Sequence, residues 1–309
     1  MIALTSAKPK NSMKSAMRKD NLTVWLMLAP TLFLFLVVSV YPFLWIARYM
    51  FYDYNGFVEY YIGLDNFRRL LADKLFFKSI IHTLEYSFYK LITIIPLALI
   101  VSVLLNSKLK GKNFFRTVFF VPTVISAAVA SLVFYFIYSP YNGILNGTLN
   151  ALQITQAKID WLGSANLVML SIIFTAIWGG LGNYMVLFLA GLQSIPDSIY
   201  ESSRIDGANR LQDFFYITIP MLRPVMKVIL MLAITTALKD YQSIMVLTGG
   251  GPAGRSQVMF LYVYQLMFGN ENAGGAVQIG YGATVGLASS LIIALITVIY
   301  LYLSKKMDD

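Results

Sequence analysis

Cysteine is absent from the 309 residues, which excludes disulfides, cysteine-ligated zinc and thiol catalysis. Histidine occurs once, as His82, so a multi-histidine metal centre is excluded too. Charge is scarce: 13% of residues are Asp, Glu, Lys or Arg, against about a quarter in soluble domains. Hydrophobic residues make up 58% of the chain and aromatic residues 15%. A core this small cannot hide that much apolar surface from water, so lipid is the expected solvent, with Tyr and Trp at its interfaces. No polar cluster suited to catalysis stands out, and no catalytic residue or metal ligand is expected.

A spanning helix needs about 20 apolar residues. Six stretches qualify: 22–47, 79–106, 117–139, 167–193, 225–247 and 283–303. The first is too long for a signal-peptide core and reads as a retained span. The expected fold is an all-α membrane protein with a basic tail (1–21), a six-helix domain (22–303) and a short tail (304–309). Basic residues orient it. Lys8, Lys10, Lys14, Arg18 and Lys19 precede the first span, Lys108, Lys110, Lys112 and Arg116 follow the second, and Arg204, Arg210 and Arg223 follow the fourth. With Lys305 and Lys306 they outnumber the basic residues of the opposite loops, so both termini are expected in the cytoplasm. Most of the net charge of +9 is thereby a topology signal, which argues against a nucleic-acid partner.

The stretch TGGGPAGRS, residues 248–256, differs from a phosphate-cradling loop by Arg255 in place of lysine. A span precedes it where a nucleotide fold needs a strand, and it falls on the outer face. It reads as a Gly-Pro turn that ends one helix and opens an external loop.

The longest cytoplasmic connection, 194–224, reads as two short helices. Ser198 and Glu201 have capping-box spacing, Asp206-Gly207 ends the first helix, and Asn209 with Gln212 starts the second. Pro220 and Pro224 are expected to break the chain before the fifth span. Ser202 and Ser203 leave a low-relief face on which another surface can dock. Glu201 on its spacing alone is also an ordinary helix-cap residue.

This loop resembles the signature E-A-A-x3-G-x9-I-x-L-P of binding-protein-dependent ABC importer permeases. Glu201, Gly207, Ile217 and Pro220 match in register; Ser202 and Ser203 stand for the alanines and Ile219 for the leucine. WLGSANLVML, AGLQSIP, ESSRIDGAN and MVLTGGGPA look like the carbohydrate branch, which includes maltose and glycerol-3-phosphate permeases. The resemblance implies an ABC importer permease fold in a bacterial plasma (inner) membrane. It implies an ATPase-coupling role for Glu201, Ser202, Ser203, Arg204, Asp206, Gly207 and Ala208. The implied partners are a second permease, a cytoplasmic ATPase dimer that carries the ATP and Mg, an extracellular substrate-binding protein and a carbohydrate. No cofactor is implied on this chain.

Polar residues inside a bilayer tend to face a pathway. Trp178, Asn183 and Tyr184 in the fourth span, and Tyr241 and Gln242 in the fifth, are the candidate substrate path. Gly179, Gly180 and Gly182 read equally as close-packing positions. His82 and Glu85, three residues apart, are expected to pair, and Lys239 and Asp240 to pair or snorkel. The loop 49–78 carries an amphipathic stretch with Phe67, Leu70, Leu71 and Leu75 on one side, read as a short helix at the outer surface. A competing class, an ion-coupled secondary transporter, would need intramembrane acids as a relay. Glu85 and Asp240 are the only acids in the predicted spans, and no inverted repeat stands out.

Overall fold

The computed structural model describes residues 11–107, 109–269 and 275–306. The expected tails at 1–10 and 307–309, and Lys108, lie outside the described residues. Helix α1 (Asn11–Phe35) passes through a π turn at Leu36–Val40 into α2 (Tyr41–Arg48) and a 3-10 turn at Tyr49–Phe51. The wide turn sits where Pro42, which has no N–H to donate, enters the helix. The run Thr23–Phe51 is long and apolar enough to cross a membrane. Its Trp25, Met27, Phe33, Val38 and Leu44 side chains are exposed. A helix apolar all round is stable only in an apolar medium.

Among the described residues the one departure from all-α is a hairpin of β1 (Tyr52–Tyr54) and β2 (Glu59–Tyr61), antiparallel, with Asp53 opposite Tyr60. Its turn uses Asn55, whose side chain accepts the N–H groups of Phe57 and Val58, and Gly56 at φ +97°. Asn-Gly is the strongest short hairpin signal, and it stood in the sequence unread. The amphipathic stretch is helical as expected, as α3 (Asp65–Ala72). Asn66 on α3 donates to Met50 O and Tyr52 O, which ties this helix to the end of the first span.

Helix α4 (Lys74–Asn106) is the second span and begins a turn earlier than predicted, because Asp73 caps it by accepting from Leu75 N and Phe76 N. The third predicted span, 117–139, is not one straight helix. It is α5 (Lys112–Val124) and α6 (Ala127–Ile137), bent by 99°. The chain turns because Ile125 is extended and the Ser126 hydroxyl accepts Val129 N, starting a new helix. After α7 (Ile144–Ala151) comes α8 (Val168–Gln193), the fourth span. Gly182 is the glycine that permits close packing there: a Cβ would lie 2.4 Å from Phe119 O on α5.

Two short helices, α9 (Asp197–Ile205) and α10 (Arg210–Gln212), precede α11 (Ile219–Lys239). Pro220 and Pro224 do not break the chain as expected. They lie within a helix that runs on from Arg210, with a π turn at Asp213–Thr218 absorbing the donor Pro220 lacks. The break comes later, at Asp240 and Tyr241, before α12 (Gln242–Thr248). The expected external loop then contains an apolar helix, α13 (Met259–Phe268), too short to span and largely buried. Helix α14 (Ile279–Lys305) is the last span. Among the described residues five helices are thus long and apolar enough to cross a membrane, or six if the bent pair counts as one span.

The core sits along α4. Tyr86 meets Ile172, Ile244 and Leu261 at one level, and Ile94 meets Phe188, Leu222 and Ile229 at another. Asp73 joins α4 to α13 and α14, since its Oδ2 accepts from Tyr262 (2.6 Å) and Tyr281 (2.5 Å).

Two measurements check this account. Gly280 lies against the first span, where a Cβ would be 2.1 Å from Tyr52 O and 2.9 Å from Tyr49 O. Gly280→Ala is expected to cost about 1–3 kcal/mol through overpacking, seen as a lowered thermal midpoint in detergent. Burial pushes the Asp73 carboxyl up, but hydrogen bonds from Tyr262, Tyr281, Phe76 N and Leu75 N outweigh it, so it titrates below its ordinary range. A depressed folded pKa means stability that is full above the unfolded pKa, about 3.9. That stability is lost as pH falls through the folded value. The wild-type advantage over Asp73→Asn should hold from pH 7 to about pH 5 and shrink below about pH 4; an advantage that grows with acid would contradict it.

Candidate functional site

Helix α9 begins one residue before the expected Ser198 cap. Pro196 takes the N-cap position with ψ 135°, and no side chain caps there. Its fixed φ suits the entry, and Asp197 in the first turn complements the helix dipole. The other end follows expectation. Gly207 has φ +81°, its N–H donates to Arg204 O (3.1 Å), and Ala208 N–H donates to Ser203 O (2.9 Å). These two bonds close the helix and need the left-handed glycine. Asn209 and Gln212 form a full capping box: Asn209 Oδ1 accepts Leu211 N and Gln212 N, and Gln212 Oε1 accepts Asn209 N.

The two serines part company. Ser202 is exposed and donates back to Ser198 O. Ser203 is buried and donates to Asp213 Oδ1 at 2.6 Å and to Tyr200 O at 3.0 Å. Tyr200 in turn shares a 3.0 Å hydrogen bond with Thr218. The low-relief docking face therefore belongs to Ser202, while Ser203 clamps α9 to the π turn. Glu201, Arg204, Asp206 and Gly207 are exposed, and Ala208 is half-buried. A hollow of about 250 Å³ opens between Asp206, Gly207, Gln212 and Tyr216. Ile205, Leu211, Phe215 and Tyr216 are exposed around this unit. Sequence reasoning passed over these apolar side chains, although four of them in a polar loop was a legible signal.

A second polar place lies among the spans. A cavity of about 240 Å³ is lined by Lys90 of α4, by Thr123 and Ile125 at the end of α5, and by Ala127 and Ser131 of α6. Thr175, Gly179 and Asn183 of α8, and Asp240 and Ser243 at the break after α11, complete it. Both helix breaks border this one cavity. Lys90 Nζ lies 2.8 Å from Asp240 Oδ2, with side-chain exposures of 10% and 15%. Tyr86 OH donates to the same oxygen at 2.5 Å, and Lys90 donates to Tyr86 OH at 3.0 Å.

Of the candidate path residues, Asn183 lines this cavity. Trp178 packs edge-on against Phe134 with ring centres 5.2 Å apart. Tyr184 is buried, and its hydroxyl shares a 2.9 Å hydrogen bond with Thr236 on α11. Tyr241 stacks on Tyr264, and Gln242 is exposed at the start of α12. Lys90 was visible in the sequence as a cation inside a span, but its partner lies 150 residues away. The expected Lys239–Asp240 pairing gives way to Lys90–Asp240. The expected His82–Glu85 pair does not form either. Glu85 takes a two-pronged contact from Arg255 (2.9 and 3.1 Å), and His82 Nδ1 meets Gln257 O at 3.2 Å. Arg255, the near-lysine of the glycine-rich stretch, is thus committed to Glu85. Gly249 (φ +58°) ends α12 there, as the turn reading expects. Among the described residues no group of three His, Asp or Glu is placed to hold a metal.

Residues 94–309 match the family described as binding-protein-dependent transport system inner membrane component. A multiple sugar-binding transport system permease protein of Streptococcus mutans is 34% identical over 92% of this chain and 96% of its own. A probable ABC transporter permease of Bacillus subtilis is 32% identical, over 93% and 99%. The arabinooligosaccharides transport system permease of the same organism is 29% identical, over 97% and 94%. A chain of a bacterial ABC transporter that imports alginate superposes with a TM-score of 0.81 at 22% identity, over 96% of this chain and 99% of that one. A chain of a bacterial alginate ABC transporter solved in complex with an alginate pentasaccharide-bound periplasmic protein superposes with a TM-score of 0.80 at 22% identity, over 94% of this chain and 96% of that one.

Taking one partner from the Lys90–Asp240 pair should leave a buried charge at a cost of about 3–5 kcal/mol, and removing both should restore much of it. Lys90→Met, Asp240→Leu and the double variant, compared by thermal melts of the purified chain, check this. A double variant no better than the worse single one would show that the pair is not coupled.

Proposed function

The chain belongs to the family of binding-protein-dependent transport system inner membrane components, and we propose that it forms half of the translocation pathway of an ATP-driven carbohydrate importer. It is a multi-pass inner-membrane permease. In this reading both termini and the loop 194–224 face the cytoplasm, as the basic residues direct. The observation that carries the reading is the helix–turn–helix unit 197–212. It is held together by the Ser203–Asp213 bond and the Asn209–Gln212 capping box, exposes Glu201, Ser202, Arg204 and Asp206, and continues without interruption into α11.

A separate ATPase subunit, with its own ATP and Mg, docks on that unit. A displacement of α9 passes through the Ser203–Asp213 clamp into the helix that starts at Arg210. That helix reaches the cavity at Asp240, about 45 Å away at 1.5 Å per residue. A second permease supplies the rest of the cavity lining. An external binding protein delivers the sugar, as the periplasmic protein bound to the alginate transporter suggests. ATP and sugar each favour a different state of the pair, which is what alternating access requires. The ion-coupled alternative is not favoured, because Glu85 and Asp240, the acids it would need, are both held in ion pairs.

The transporter, purified from native membranes with this chain as bait and placed in liposomes, is expected to carry a second permease and an ATPase. Its ATP hydrolysis should rise with binding protein and sugar, and Glu201→Ala should reduce that rise at least tenfold while the subunits still co-purify. A chain that purifies alone and moves sugar down an ion gradient would overturn the importer reading.

A further inference from the structure

A second cavity, of about 330 Å³, opens beside the N-terminal end of α8, between Tyr138, Leu145, Trp161, Leu167, Leu170 and Phe174. The polar atoms around it are turned away and satisfied. Tyr138 OH donates to Ser171 O (3.0 Å), and Trp161 Nε1 donates to Asn146 Oδ1 (2.9 Å). Ser171 Oγ, also on the wall, donates to Trp161 O and Leu167 O (both 3.1 Å). Nothing is left over to bind a hydroxyl-rich ligand, in contrast to the cavity at Lys90 and Asp240. An apolar occupant is the one whose burial this lining favours.

The place of the cavity selects the kind of occupant. Helix α8 has 26 residues, about 39 Å at 1.5 Å per residue, against a hydrocarbon layer of about 30 Å. Its first few residues therefore lie at the hydrocarbon edge, and the cavity covers its first two turns. Leu170 and Phe174, one turn apart, are each 59% exposed. The mouth thus opens on an apolar face of a spanning helix that this chain leaves uncovered. Lys158, three residues before Trp161, is exposed, and its ammonium lies 5.3 Å from the Tyr141 ring centre. It is the one Lys or Arg between Arg116 and Arg204.

We propose that this cavity is a phospholipid site, with one acyl chain between Tyr138, Trp161 and Phe174 and the lipid phosphate at Lys158. The test uses the assembled transporter, stripped of lipid in detergent and re-equilibrated with phosphatidylglycerol that carries a diazirine in one acyl chain. After photolysis, peptide mass spectrometry should find the label concentrated on residues 138–174. Leu145→Trp, which fills the cavity, should cut that labelling at least tenfold while leaving ATP hydrolysis and the thermal midpoint unchanged. Lys158→Ala should lower phosphatidylglycerol retention without moving the labelled positions. Label spread along α1 and α14 with no enrichment at 138–174 would overturn the proposal. So would labelling indifferent to Leu145→Trp, or a second permease cross-linked into the cavity. Where Leu145→Trp fails to fold, the wild-type label map decides alone.

Discussion

In a bilayer a backbone group has no water to turn to, so a spanning chain can leave the helix only where protein takes over its hydrogen bonds. This chain leaves the helix twice among its spans, at Ile125–Ser126 and at Asp240–Tyr241. The first interruption is covered by the Ser126 hydroxyl, which starts α6. At the second, Asp240 N–H donates to Ala237 O and Tyr241 O accepts Met245 N, while Lys90 and Tyr86 of α4 hold the Asp240 carboxylate. Both border one polar cavity. The irregular backbone and the buried charge are thus one feature: each is tolerated because the other elements close around the same space.

The loop and the cavity are joined by a single helix. In α9 one serine faces out and the next is turned in, so the unit offers a smooth outer face while fixed from behind. The π turn at 213–218 lets two prolines lie inside a helix that would otherwise have stopped. Had the chain broken at Pro220, α9 would hang on a flexible tether. As it is, the loop is held to the start of α11 by Ser203–Asp213 and Tyr200–Thr218.

The two cavities show how lining chemistry separates roles within one membrane domain. At Lys90 and Asp240 hydroxyls, an amide and an ion pair face the space. At Trp161 and Phe174 the polar atoms are those of Tyr138, Trp161 and Ser171, and each is spent on a neighbour. The difference lies first in residue type, since Lys, Asp, Asn, Ser and Thr line the one cavity and aromatic and aliphatic side chains dominate the other.

The sequence by itself determined the solvent, the places of the apolar stretches, the basic bias of their connections and the two-helix plan of loop 194–224. Those rest on local composition and on short-range signals such as Gly207 as a helix stop and Asn209 with Gln212 as a start. Asn55-Gly56 was as legible and announced a hairpin. Tertiary structure alone decided the rest. Glu85 chose Arg255 over His82, and Asp240 chose Lys90 over Lys239, because partners 150 and more residues away were brought closer than those beside them. Prolines 220 and 224 were absorbed by a turn of a different width, and the third span bent where a serine could cap it. A side chain's neighbours along the chain set what it can do; the packing of distant helices sets which of those things it does.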